Sequence, residues 1–69
     1  MRQSDQGYSE SYGVPKGEKI YYKCLECRDV LSSASYRSIY CRCYNIMIDA
    51  AYIRLDVKNF SKFAVLYDD

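Results

Sequence analysis

Residues 24–43 read CLECRDVLSSASYRSIYCRC and contain all four cysteines of the chain. Cys24 and Cys27 form a C-x2-C pair, 13 residues follow, and Cys41 and Cys43 form a C-x-C pair. Cysteines this close bridge to each other only with strain. Cross-pairing between the clusters into two disulfides is geometrically open, but disulfides belong to oxidising compartments. Shared ligation of a metal is the commoner use of clustered thiols in a reduced compartment. Free thiols and a redox or iron–sulfur role stay open beside these. The opening stretch MRQSDQGYSESYG lacks the apolar run of an export signal. No apolar run is long enough to span a membrane. The expectation is therefore a cytoplasmic chain with a metal site.

Zinc fits four thiolates, at tetrahedral geometry and about 2.3 Å. The C-x2-C pair can wrap one side of an ion through a tight turn. Cys41 and Cys43 lie at i and i+2, which face the same side of an extended strand, so a strand over residues 37–42 is expected to carry them. Four thiolates fill the tetrahedron and leave no position for water, the mark of a structural site. Zn²⁺ with Cys24, Cys27, Cys41 and Cys43 would move the net charge from +1 to +1 − 4 + 2 = −1. Lys23, Arg28 and Arg42 flank the thiolates and are placed to offset that charge.

Such a staple answers a problem of size. A chain of 69 residues buries only about 60% of its unfolded surface, and its core is marginal alone. Structural zinc supplies roughly 10–16 kcal/mol of apparent binding free energy in small peptides.

Outward from the cysteines the patterning is that of strands. Residues 18–24 (EKIYYKC) enter the first pair with aromatic and β-branched residues. Asp29, Val30 and Leu31 leave it, and residues 32–35 form a polar loop. Residues 45–49 (NIMID) put Ile46 and Ile48 on one side and Met47 on the other. In residues 52–57 (YIRLDV), Ile53, Leu55 and Val57 alternate with Tyr52, Arg54 and Asp56, which predicts a half-buried strand. Residues 49–51 and 58–62 read as turns, and residues 62–67 (KFAVLY) as a closing strand. Residues 1–17 are rich in Ser, Gln and Gly and read as a flexible tail, leaving 18–69 as the folded unit. The fold class expected is small and mostly β, an antiparallel sheet of four or five short strands around one metal.

The two close cysteine pairs between strands resemble the zinc-ribbon group. Residues 21–49 are also similar to short, mostly uncharacterised bacterial or phage proteins that carry C-x-x-C-G, then C-x-C-G-N. The resemblance covers roughly residues 20–67. Two positions depart from it. Glycine normally follows the second cysteine of a knuckle, where the turn favours positive φ; Arg28 and Tyr44 stand there instead. Either both take that turn with a Cβ, or the turn differs, with Asn45 able to take the bend after Tyr44.

Catalysis is not expected: the chain has no His, no Ser or Cys beside an evident base, and no glycine-rich phosphate loop. Nine tyrosines are too many for so small a core. Tyrosine joins apolar area to a hydroxyl and is enriched at interfaces. Tyr21, Tyr22, Tyr40, Tyr44 and Tyr52 are the candidate protein-binding residues, with Tyr36 and Tyr67 beside them. The reading is a small zinc-stabilised interaction module that binds a larger protein, as an inhibitor, an immunity or antidote factor, or an accessory subunit. Self-association stays open. The alternative is a nucleic-acid-binding zinc ribbon: residues 19–42 carry five basic against two acidic groups beside tyrosines, which suits base stacking. The near-neutral total argues against it.

Overall fold

Alternating apolar residues and tight turns give seven short strands among the described residues. The computed structural model describes residues 2–4, 7, 8, 10, 13–50 and 54–68. In chain order the strands are β1 (Arg2–Gln3), β2 (Ile20–Cys24), β3 (Val30–Ser32), β4 (Ile39–Tyr40), β5 (Ile46–Asp49), β6 (Arg54–Val57) and β7 (Phe63–Tyr67). One turn of 3-10 helix, Phe60–Lys62, links β6 to β7.

These strands form two antiparallel sheets, where the sequence suggests one. The first has the order β1-β7-β2-β3 and the second β4-β5-β6. The break falls between β3 and β4, which are three and two residues long. Ladders so short give little reason to extend a sheet across the intervening turns. Each cysteine pair then sits at the tip of its own hairpin: Cys24 ends β2 and Cys27 lies in the turn to β3, while Cys41 and Cys43 lie between β4 and β5.

Side-chain alternation decides what each sheet buries. The register sets Tyr22 against Val65 and Cys24 against Phe63, and, in the second sheet, Ile46 against Val57 and Ile48 against Leu55. Tyr22, Cys24, Cys41, Ile46, Ile48, Phe63 and Val65 form one buried cluster, with Leu31, Ile39, Leu55 and Val57 packed on it. Ile46 and Ile48 are buried while Met47 and Asp49 between them are only partly so, as their alternation predicts. The Phe63 ring meets Tyr22 at 5.4 Å and the edge of Phe60 at 5.3 Å. In β7, both Phe63 and Val65 and the intervening Ala64 and Leu66 are buried. This strand is paired on both sides, by β1 and β2.

Part of the stretch whose composition suggests a tail lies among the described residues. Arg2 and Gln3 pair with Tyr67 and Leu66, and the Arg2 guanidinium lies 5.0 Å from the Tyr67 ring centre. The Tyr8 ring stands edge-on to Phe63 at 6.3 Å. Gly17 N–H donates to Ser33 Oγ at 2.9 Å, and that hydroxyl donates back to Gly17 O at 2.7 Å. Ser33 is thereby buried inside a segment that reads as a polar loop.

Candidate metal centre

The two hairpin tips meet head to head, and the four sulfurs converge. The Sγ atoms of Cys24, Cys27, Cys41 and Cys43 all lie within 4.8 Å of one another. Cys24 and Cys43 are 3.4 Å apart, Cys41 and Cys43 3.7 Å. A tetrahedron with metal–sulfur bonds of about 2.3 Å has edges of about 3.8 Å. The cluster therefore fits one metal ion, while a disulfide needs its sulfurs about 2.05 Å apart. All four cysteines are free.

Each tip is a six-residue loop closed by the same backbone bond. Cys24 N–H donates to Asp29 O at 2.9 Å, and Cys41 N–H to Ile46 O at 3.0 Å. Inside these closures, Arg28 N–H donates to Cys24 O and Tyr44 N–H to Cys41 O, at 2.8 and 2.9 Å. Both Arg28 and Tyr44 adopt positive φ, 66° and 63°. The turn is thus kept at both positions without glycine, and the positive φ falls on Tyr44 itself and not on Asn45. The second pair also corrects the expectation of an extended strand. β4 ends at Tyr40, and Arg42 and Cys43 lie in a turn, because the Tyr44-to-Cys41 bond curls the chain back and brings the two sulfurs onto one side.

Backbone donors face the sulfurs. Ile46 N–H reaches Cys41 Sγ at 3.2 Å. Burial raises the Cys27 thiol, but the N–H groups of Asp29 and Cys43 and the neighbouring Cys24 and Cys43 thiols outweigh it and bring it down to about 7. At Cys43 the Asn45 N–H lowers the thiol, yet desolvation and the sulfurs of Cys24, Cys27 and Cys41 push it up to about 12. One ionised sulfur opposes the next, and a divalent cation removes that opposition.

Two asparagines complete the centre; sequence reasoning offers Asn45 only a bend and misses Asn59. Asn45 is buried; its Oδ1 accepts from Asn59 N–H at 2.8 Å, and its Nδ2 donates to Asn59 O at 3.2 Å and Lys62 O at 3.5 Å. The same Nδ2 lies 3.9 Å from Cys24 Sγ. From the other loop, Leu25 N–H donates to Lys62 O at 2.7 Å. Residues 58–62 therefore hold both cysteine loops at once. Asn59 fixes that segment by accepting Ser61 N–H at 3.0 Å. A polar residue directly after a knuckle, with a second Asn in a turn, was the only signal available.

Across the junction, Asp29 accepts Arg42 N–H at 2.7 Å, with the Arg42 guanidinium 3.8 Å from the carboxylate.

The tyrosines divide. Tyr22 is 3% exposed, and its hydroxyl donates to Pro15 O at 2.8 Å. It belongs to the core, because the face of β2 that it shares with Cys24 is the inner one. Tyr21, on the opposite face, is half-buried. Tyr40 and Tyr44 are 57% and 50% exposed and stack on each other, with ring centres 4.7 Å apart. Tyr36 is 96% exposed, Tyr67 is half-buried, and Tyr52 lies outside the described residues. No family model matches the chain, and comparison with curated proteins and with solved structures returns no match.

Proposed function

We propose that the chain is a small zinc-stabilised protein–protein interaction module of zinc-ribbon type, acting as an inhibitor, an antidote factor or an accessory subunit. The observation that carries it is the stacked Tyr40–Tyr44 pair, exposed beside Cys43. A preformed aromatic pair offers a large contact area whose ordering cost is already met, as binding hot spots do. Zinc is the proposed metal because four thiolates at tetrahedral separations suit it. With every position filled, the ion acts on the fold and performs no reaction. It fixes the turn from which Tyr44 projects.

The test compares the intact chain with the double variant Tyr40→Ala/Tyr44→Ala. Native mass spectrometry is expected to find one zinc on both. Affinity purification from the native host is expected to yield a stoichiometric protein with the first only, with binding weakened about 30-fold in the variant, the scale of a 2 kcal/mol hot spot. Equal binding by both would remove the tyrosines from the interface. Arg42, whose side chain is 81% exposed between the two rings in sequence, favours the second reading, in which the pair stacks on bases of single-stranded nucleic acid. Binding to a random DNA or RNA pool is strongest at low salt, so its absence there rejects that reading.

A further inference from the structure

The four cysteines are unequal in burial. Cys24 and Cys41 are 0% exposed, Cys27 is intermediate, and Cys43 is exposed. Cys43 is the exposed residue of the four, and its Sγ lies 3.4 Å from that of the buried Cys24 in a partly buried contact. We propose that Cys43 is an oxidation site through which a peroxide opens the metal centre, and that it closes onto Cys24 as a disulfide between the two loops. This rests on the metal reading of the same four thiols.

The chemistry needs only the peroxide and the two thiolates. A metal holds its thiol ligands ionised, and oxidation selects thiolates by their access to solvent. Cys43 Sγ attacks one peroxide oxygen; the O–O bond breaks, hydroxide leaves, and Cys43 becomes a sulfenic acid. Cys24 Sγ then attacks that sulfur; the S–O bond breaks, a second hydroxide leaves, and the S–S bond forms. Two sulfurs lose one electron each, and the peroxide gains both. The sulfurs must approach by only about 1.4 Å to reach bonding distance. Cys41 is also near, at 3.7 Å, but a bridge between residues two apart is strained. The ion, left with Cys27 and Cys41, is held far more weakly and departs.

The product is distinctive. A Cys24–Cys43 bridge covalently joins the tips of the two hairpins and leaves Cys27 and Cys41 as free thiols. Oxidation would thus exchange one cross-link between the sheets for another.

The experiment uses the full-length chain. Native mass spectrometry first records bound zinc; its absence overturns the metal reading and with it the opening of a metal centre, while the Cys24–Cys43 bridge is tested separately by the mapping. One equivalent of hydrogen peroxide is then added, zinc release is followed with a chromophoric chelator, and the bridges are mapped. Cleavage after Arg42 separates Cys41 from Cys43, and cleavage after Glu26 separates Cys24 from Cys27. The expected result is a Cys24–Cys43 cross-link, formed in step with zinc release. A bridge within either pair, a bridge from Cys43 to Cys27, or no bridge overturns the proposal, whether or not zinc was bound. As a second measurement, limiting N-ethylmaleimide on the untreated protein is expected to label Cys43 about tenfold faster than Cys24 or Cys41. Equal labelling overturns the assignment of Cys43 as the point of entry.

Discussion

The two cysteine loops solve one geometric problem with different sequences. Residues 24–29 and 41–46 are each closed by an N–H bond from the first residue to the carbonyl of the sixth. In the first, two residues separate the cysteines, and the positive-φ residue Arg28 directly precedes the closing Asp29. In the second, one residue separates the cysteines, and Tyr44 is followed by an additional residue, Asn45, before the closing Ile46. A position absent between the sulfurs is restored after the turn. The restored residue turns inward to bind residues 59 and 62. The lesson is that sulfur placement depends on total loop length and on the positive-φ position more than on the spacing within a pair.

The largest perturbation should erase the comparison. Cys24→Ser in the first loop or Cys41→Ser in the second removes one thiolate from a site coupled to folding. Each is expected to unfold the domain under conditions where the parent is folded, as is treatment with a strong chelator. Circular dichroism with and without added zinc checks this, against an apparent metal contribution of roughly 10–16 kcal/mol. A folded, metal-free chain would show that the hydrophobic cluster suffices.

Next in size is the residue that only the second loop possesses. Asn45→Ala strands the Asn59 N–H and weakens the hold on residues 58–62, at an expected cost of about 2–3 kcal/mol in denaturant unfolding. The first loop has no equivalent side chain. There, Asp29→Ala removes the acceptor of Arg42 N–H and the exposed ion pair with the Arg42 guanidinium, and is expected to cost about 1 kcal/mol. Equal losses would contradict the clamp assigned to Asn45.

A finer contrast concerns φ. Left-handed geometry costs a residue with a Cβ about 1–2 kcal/mol, and glycine forfeits about 0.5–1 kcal/mol of that gain through its unfolded-state entropy. Arg28→Gly is therefore expected to stabilise by about 0.5–1 kcal/mol. Tyr44→Gly has the same backbone gain but loses the stack on Tyr40, worth about 0.5–1.5 kcal/mol, so its net effect should be near zero or destabilising. Thermal unfolding of the two variants side by side decides it.

Arg42→Ala should have the smallest effect, less than about 0.5 kcal/mol, since it removes a solvent-exposed ion pair at 3.8 Å. Its backbone N–H still reaches Asp29. Added salt should abolish the difference from the parent protein.

The cysteines and the strands were legible because their signals are local. Two close pairs name four ligand candidates without any knowledge of the fold, and period-2 alternation in residues 46–49 assigns Ile46 and Ile48 to the interior. The absent glycines at 28 and 44 marked the positions where positive φ would be needed, and both residues adopt it. What the sequence could not supply was the partner of each element. Tyr21 and Tyr22 are adjacent and chemically identical, and only the inner face of β2 decides that Tyr22 is core and Tyr21 is not. Asn45 and Asn59 lie 14 residues apart, and nothing in either neighbourhood foretells their mutual bonds. The division into two sheets, and the meeting of their tips that gathers four sulfurs, likewise depend on contacts distant in the chain. Residue chemistry and period fix what each short segment can do; burial and hydrogen-bond satisfaction, settled between segments, fix what it does.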